Sequence, residues 1–446
     1  MKALLSAIFL ISAINLNTIA QDDNKPKENQ VKQQFLKEKY QSDIKKALDQ
    51  KSQDNILTKL IDLLSFEHKN MQMVTIPIIQ TSKDMSASYG LMPIMAFNKS
   101  INNKLLIKSV LAPSFDYNRY LGKTLTQRHY FFPDEKSIMM YRISFSEHTQ
   151  KELIFWYYQP EFLMKNTRLD FQVLDSANPK FSFYGFGPNS RYSDKANYTF
   201  YKKGAQLTIT KPIFENIYWD YSVSFYSNKI DNGIIDSKNK FSSFYPSQYS
   251  ELNSYKKFFL NKFSLLFDST DHPFLPKLGN YFIFSAEFSD KDILSDYTYS
   301  DYSFEIKKYY KYGLNDRYVT AIRYLLEWQK GQRAPFYAMP RLGETSGLRA
   351  FGDGRFTDRV KFVVNIEQRI TMSKFPLRKF ISEFELTPFI DIGTVSDKVS
   401  DIKADNLNFA PGISSRLLIR PHIVATLDFA YSKEGINSII RVGYPF

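Results

Sequence analysis

Cysteine is absent from the 446 residues. That excludes a disulfide framework and any thiolate zinc site, and it is compatible with an oxidising compartment. Tryptophan is scarce, at three residues. Beyond the N-terminus no apolar run approaches the ~20 residues a helix needs to cross a bilayer, which argues against a helical membrane protein. The punctuation of common enzymes is missing too. His68, His129, His148, His272 and His422 never fall in HxxxH or HExxH spacing. No GxSxG elbow occurs, so a fused lipase domain is excluded. No basic helix or RNA-binding signature accompanies the net charge of +13. Lys and Arg are spread along the chain, so nucleic acid is not the expected partner. Nothing in the residue pattern implies a cofactor or a metal.

What is present is aromatic. Tyr and Phe number 30 and 39, and aromatics make up 16% of the chain. Mean hydropathy is only −0.36. A transmembrane barrel scores this way because only every second residue faces lipid.

Residues 1–20 read as a secretory signal. Lys2 is the positive start, Ala3 to Ile14 an apolar core too short to span, and Thr18 and Ala20 the small residues before cleavage. Residues 21–72 are polar and charged. Leu36, Tyr40, Ile44 and Leu48, then Ile56, Leu57, Leu60, Ile61 and Leu64, predict amphipathic helices in a periplasmic tract.

From Met73 to Phe446 the pattern is short alternating runs between polar turns, an all-β architecture. Phe259, Asn261, Phe263, Leu265 and Phe267 alternate with Lys262, Ser264 and Asp268. Phe282, Phe284, Ala286 and Phe288 alternate with Ile283, Ser285 and Glu287. Ile322, Tyr324, Leu326 and Trp328 alternate with Arg323 and Glu327. Aromatics crowd one parity and charges the other. A packed core has little room for those charges, whereas a wet lumen does. The runs predict a transmembrane antiparallel barrel of about sixteen strands. Polar tracts at Asp116–Lys136, Ser227–Lys257 and Gln329–Asp358 are expected as extracellular loops.

The run from Arg341 to Ile370 organises the rest. Gly343, Gly347, Gly352 and Gly354 punctuate a loop. Then Val360, Phe362, Val364, Ile366 and Ile370 alternate with Lys361, Asn365, Glu367 and Arg369, which means a strand. Val363 and Gln368 break the pattern. The loop's Leu348, Arg349, Ala350, Phe351 and Gly352 resemble the signature of the sixth extracellular loop of the outer-membrane insertase and secretion-pore superfamily. BamA, TamA and the two-partner secretion pores, the bacterial surface antigen barrels, belong to it. Ala350 stands where that family usually has Gly.

Three further stretches extend the resemblance. Tyr184 to Asn189 is similar to a Gly-rich segment before a mid-barrel strand. Asp268, Asp271, Pro276 and Gly279 resemble a strand–turn–strand motif, with Thr270 where the family has Arg. Phe389 to Gly393 resembles a strand with a central lumenal Asp. At the end, Ile440, Val442, Tyr444 and Phe446 share a parity. They resemble the terminal signal read by barrel-assembly machinery, displayed on a lipid-facing last strand.

The resemblance implies that Arg349 folds into the lumen and meets inner-wall carboxylates, Asp391 and Glu367, with Arg369 beside them. It implies a bacterial outer-membrane location, with outer-membrane lipid and the assembly machinery as partners. The tract before Met73 is too short for one periplasmic POTRA domain, so the chain resembles members that lack them. The implied function is assistance to insertion or translocation of a protein or lipid client. A gated or passive diffusion pore is one alternative. A structural partner of a periplasmic complex, reached through residues 21–72, is another. An enzyme is not expected, although spacing alone leaves open a Ser/His dyad on a barrel exterior. Glu367 with Asp391 could pose as an acid/base pair, but charge compensation of Arg349 and Arg369 accounts for them with less.

Overall fold

The computed structural model describes residues 65–446, apart from positions 69, 82, 84–85, 102–103, 135, 165, 236–238, 273, 378–379 and 420–422. The expected signal and most of the expected helical tract lie outside the described residues.

Most of the described residues are in strands. In order come β1 (Ser65–His68), β2 (Met71–Gln80), β3 (Ser88–Ile101), β4 (Lys104–Leu111), β5 (Ser114–Asn118), β6 (Gly122–Phe131), β7 (Ile138–Ser146) and β8 (Lys151–Gln159). There follow β9 (Arg168–Phe183), β10 (Ala196–Phe214), β11 (Ile217–Asn232), β12 (Asn239–Lys240), β13 (Lys256–Asp268), β14 (Gly279–Ser289), β15 (Tyr299–Tyr312) and β16 (Tyr318–Gly331). The last are β17 (Arg341–Leu342), β18 (Phe356–Thr357), β19 (Val360–Leu377), β20 (Phe380–Ser396), β21 (Asn408–Ile419), β22 (Ile423–Ser432) and β23 (Gly435–Val442). Two short helices, α1 (Phe241–Phe244) and α2 (Pro246–Leu252), sit between β12 and β13.

Twenty-one strands form one sheet, and β17 pairs with β18 separately. Each long strand runs antiparallel to its chain neighbour, for example β15 to β16 with Phe304 opposite Leu326. β4 and β5 are one strand broken at Ala112 and Pro113, since both pair with β3 and with β6. Setting aside the short β1 and β12, eighteen long strands remain among the described residues, not the sixteen expected. The excess comes from tight hairpins early in the chain, where β6, β7 and β8 fit within residues 122–159. Strand structure also begins earlier than Met73, because β1 and β2 already pair at Phe66 and Met73. The tract Asp116–Lys136, expected as a loop, is mostly β5 and β6. Its Thr, Lys and Arg are the polar half of an alternating strand.

Alternation sorts the two faces. Phe263, Leu265, Phe284, Phe304 and Tyr324 lie bare on the outer face. Lys361, Asn365, Glu367 and Arg369 of β19, and Arg323 and Glu327 of β16, are buried on the inner face. The inner wall is not uniform. Across β3 to β8 it is mixed: Ile94, Val110, Tyr130, Met140 and Trp156 form one apolar cluster, while Thr124, Thr126, Arg142, Ser144 and Glu152 are buried on the same face and Arg142 pairs with Glu152 at 3.0 Å. Among the described residues no helix is long and apolar enough to cross a membrane.

One end carries long connections and the other mostly short turns. Residues 332–359 and 233–255 are at the long end, while β10 and β11 turn through Glu215 and Asn216 at the other. The ring of strands closes weakly. Among the described residues no ladder joins β2 to β23. The Thr81 hydroxyl bridges them instead, donating to the Ser438 carbonyl at 2.9 Å and accepting from the Ile440 amide at 3.2 Å.

If the outer face meets hydrocarbon, Phe284 is a sharp place to test it, being central in the eleven-residue β14. Phe284→Arg should cost about 2–4 kcal/mol of unfolding free energy in lipid vesicles. Ser285→Arg on the inner face should not show that bilayer-depth penalty. Urea titration with a heat-modifiable gel shift as the readout checks both.

Candidate functional site

The site is built where the 341–359 connection folds back between the strands. β17 and β18 pin its two ends together, with Arg341 opposite Thr357 and Leu342 opposite Phe356. Leu348, Ala350, Phe351 and Phe356 then pack on Leu342, Val363, Phe389 and Val395. This explains why Val363 breaks the alternation of its strand: it faces inward, but onto the apolar side of the loop. Gly347 has φ +129°, and a Cβ there would lie 2.6 Å from the Val363 side chain. Close approach therefore fixes that glycine. Ala350 is different. It has no positive φ, is fully buried, and contributes its methyl to the apolar cluster. The missing family glycine costs this loop nothing in backbone strain.

Packing of the loop drives Arg349 against the inner wall, where it is 2% exposed. Its Nε and Nη2 donate to the two oxygens of Asp391 at 2.8 and 2.7 Å, a bidentate fork. Its own backbone amide donates to the same carboxylate at 3.0 Å. Nη1 donates to Glu367 at 2.8 Å. The guanidinium lies 3.3 Å from the centre of the Phe389 ring. Asn365 steadies the arrangement, donating to Asp391 and to the Gly347 carbonyl, each at 2.8 Å. Burial works against the charge of Arg349, but Asp391 and Glu367 outweigh it and hold its pKa above the usual arginine range.

The network is wider than the sequence motifs. Arg416 of β21 donates to Glu367 through Nη2 at 2.6 Å and to Glu385 through Nη1 at 3.0 Å. Arg369 donates to Glu367 at 3.0 Å. Asp428 of β22 lies 3.9 Å from Arg349 and 2.8 Å from Arg441. Arg349, Arg369, Arg416 and Arg441 thus face Glu367, Glu385, Asp391 and Asp428, four charges of each sign. Arg416, Glu385 and Asp428 were not singled out by motif. The available signal was the inward parity of charged residues on adjacent strands, which marks a face but not which residues meet.

The other motif residues fall into place around it. Asp268 accepts from the Thr270 amide at 2.9 Å, and Asp271 from the Lys277 and Leu278 amides at 2.9 and 3.1 Å. These caps shape the turn that ends at Gly279. The Pro276 carbonyl accepts from Arg369 at 3.3 Å, so the turn is tied to the network from the short-turn end. The segment from Tyr184 to Asn189 docks at the long end, where the Gly187 amide donates to the Thr357 carbonyl at 3.0 Å.

The C-terminal expectation needs correction. Ile440 stays on the outer face, but β23 stops at Val442. Gly443 has φ +100°, a conformation open to glycine, and it turns the chain. Tyr444 and Phe446 enter the lumen. The Tyr444 hydroxyl donates to Glu385 at 3.1 Å, and Arg369 lies 3.8 Å from the Tyr444 ring centre and 5.8 Å from that of Phe446. Parity along a strand predicts a shared face only while the strand continues.

At the long-loop end the rim is polar. Lys83, after β2, donates to the Ala350 carbonyl at 3.0 Å and to the Glu434 carbonyl at 3.1 Å. Arg355 donates to the Glu434 carboxylate at 2.7 Å. Glu344 accepts from Asn437 at 3.0 Å. Burial is the main cause pushing the Glu344 pKa up to about 7.

This is a β-barrel whose interior is braced by a loop folded in from one end, the architecture of an outer-membrane transport or insertion barrel. The Omp85 superfamily domain matches residues 139–415, and the chain belongs to that superfamily. Among solved structures it is similar to BamA from Haemophilus ducreyi lacking POTRA domains 1-3. The likeness covers 90% of this chain and 81% of that one, at 14% identity and a TM-score of 0.55. At that identity the likeness is one of fold. CdiB from Acinetobacter baumannii matches over 84% of this chain and 60% of its own, at 10% identity and a TM-score of 0.45. CdiB from Escherichia coli matches over 84% and 63%, at 9% and 0.46. No curated protein matches the sequence.

Two outcomes are expected. Arg349→Ala leaves Asp391 and part of Glu367 uncompensated, which should weaken loop docking by about 3–5 kcal/mol. Limited proteolysis should then cut within 343–355. The Arg349→Glu, Asp391→Arg swap should recover part of the protection, because Glu367 still opposes the new carboxylate. The second outcome concerns Glu344. Undocked, its carboxyl ionises near the usual value; docked, it keeps its proton to about pH 7. Docking is therefore favoured at low pH and loses that advantage as the pH rises toward 7. Protease resistance should be higher at about pH 5 than at about pH 8, and Glu344→Gln should remove that part of the difference.

Proposed function

We propose that this protein assists the insertion or translocation of proteins or lipids at the bacterial outer membrane. The plug formed by residues 341–359 keeps the barrel closed to solutes, and the join between β2 and β23 is where the wall yields to a client. The observation that carries this reading is the contrast between joins. Neighbouring long strands elsewhere are tied by backbone ladders, as in the twelve paired positions of β11 with β13. Among the described residues no ladder joins β2 to β23, and the Thr81 hydroxyl, just after β2, bridges to β23 instead. Opening there breaks few backbone bonds, whereas opening elsewhere would strand many.

The same site disfavours a passive pore. Arg349, Glu367, Asp391 and Arg416 are at most 2% exposed, so that part of the interior is filled, not a water channel. Asp391 and Glu367 are committed to arginines, which argues against a role as an acid/base pair. The part of the expected N-terminal tract that precedes β1 is proposed as the periplasmic contact, and outer-membrane lipid and the barrel-assembly machinery as the partners of the barrel itself. The terminal residues Ile440, Val442, Tyr444 and Phe446 remain the proposed assembly signal, read before Tyr444 and Phe446 tuck into the lumen.

The chain has no cysteine, so a Thr81→Cys, Ser438→Cys pair can be oxidised without competing thiols. Locking the join should stop delivery of client protein or lipid to the outer membrane in cells, and reductant should restore it. Full activity with the lock closed sinks the lateral-opening reading. Large steady conductance of the intact protein in planar bilayers would favour a pore instead.

A further inference from the structure

The outer wall carries one built feature that the lumenal site does not use. Strand register places outward residues of β8, β9, β10, β11 and β13 in level rows. One row holds Phe155, Val173, Ala205, Phe225 and Phe259. It is apolar, and Phe155, Val173 and Phe225 are exposed. The next row toward the long-loop end holds Asp175, Lys203, Ser227 and Lys257. The row beyond holds Lys151, Ala177, Tyr201 and Lys229, with Tyr255 just before β13. Two residue levels separate an apolar band from four lysines.

The lysines are ordered by rings more than by carboxylates. Lys203 Nζ lies 4.1 Å from the centre of the Tyr255 ring. Lys229 Nζ lies 4.5 Å from that of Tyr201 and 5.3 Å from that of Tyr255. Lys151 pairs with Asp175 at 2.9 Å. The other nearby carboxylates are engaged: Asp231 accepts from the Tyr249 hydroxyl and Asp296 from the Lys257 backbone amide. Among the described residues no carboxylate lies within ion-pair reach of Lys203, Lys229 or Lys257 Nζ. Ammonium groups held beside tyrosines, at the upper edge of an apolar wall, match a lipid headgroup carrying phosphate.

We propose that Lys151, Lys203, Lys229 and Lys257, with Tyr201 and Tyr255, form a docking site for the phosphorylated headgroups of the outer leaflet. The lysines take the phosphates, the tyrosines hold the lysines at headgroup depth, and the Phe row beneath takes the acyl chains. The assignment rests on the outer wall facing lipid, as in the proposed function. Its effect is to fix the depth and rotation of β8–β13 in the bilayer, on a part of the wall distant in sequence from β23.

The test uses the full chain in detergent, with lipid adducts counted by native mass spectrometry. The probes are bis-phosphorylated lipid A and the same lipid with both phosphates removed. The wild type should retain the phosphorylated form at least about tenfold more strongly, and the K151Q, K203Q, K229Q, K257Q protein should lose that preference while still retaining the dephosphorylated lipid. If the fourfold variant fails to assemble, K203Q and K257Q singly should each reduce the preference. Equal retention of the two lipids by wild type overturns the headgroup site and leaves the membrane reading intact. Retention of neither overturns both. Displacement of lipid A by millimolar sodium phosphate shows a free-anion site and also overturns the proposal.

Discussion

A guanidinium that water cannot reach governs this structure. Arg349 is buried with its charge intact, so every donor needs an acceptor nearby. Asp391 of β20 supplies the fork and Glu367 of β19 the third bond. Glu367 in turn accepts from Arg349, Arg369 and Arg416, and so joins the loop to β19 and β21. A loop of this length has many places to go. The charge balance leaves it one, because any other position strands carboxylates in the wall. The apolar residues beside Arg349 set the depth of insertion and the ion pairs set its register.

The inner wall mixes charged and apolar side chains, in proportions that change around it. Across β16 to β23 the inward charges Arg323, Glu367, Asp391 and Arg416 face a loop that brings its own arginine, and inward Leu325, Val363, Phe389 and Val395 take its apolar side. Across β3 to β8 a cluster of Ile, Val, Met, Tyr and Trp shares the wall with a buried Arg142–Glu152 pair. The family match begins at residue 139, within β7, so the apolar part lies largely outside the matched region. The outer wall does not change in the same way. Leu91, Phe115, Leu125 and Phe145 are as bare there as Phe263 and Phe284 further on. Apolar side chains thus occur on both faces of the early strands, with Thr124, Thr126, Arg142, Ser144 and Glu152 interleaved on the inner one, so alternation marks a face less sharply there than in β19.

That difference marks what was legible in the sequence. Where one parity was charged, as in β16 and β19, the strands and their inward faces could be read directly. Arg349, Asp391 and Glu367 could be read as well, since a family motif supplied the pairing that parity cannot. Arg416 and Glu385 could not. Each is only one inward charge in its own strand, and their meeting depends on the register of β20 with β21, where Glu385 lies opposite Arg416. The strand number exceeds the sixteen expected because hairpins such as β7–β8, joined by four residues, merge into one run of polar and apolar residues in the sequence. Tyr444 was misplaced because one positive φ at Gly443 cancels every parity argument downstream.

The inward turn at Gly443 bears on how the barrel closes. By leaving the wall, Tyr444 gives up any place in a ladder with the first strands and joins Glu385, Arg369 and Arg416 instead. β23 keeps only eight residues in the wall. An edge left with few backbone partners is unfavourable unless something covers it. Here the cover is made of side chains: Thr81 at the join, and Lys83 on Ala350 and Glu434 at the rim. Lys83 grips the same loop that Arg349 anchors. The closure of the wall and the seating of the loop therefore share contacts, and lifting the loop breaks the Lys83–Ala350 and Asn437–Arg349 bonds at the rim of the join.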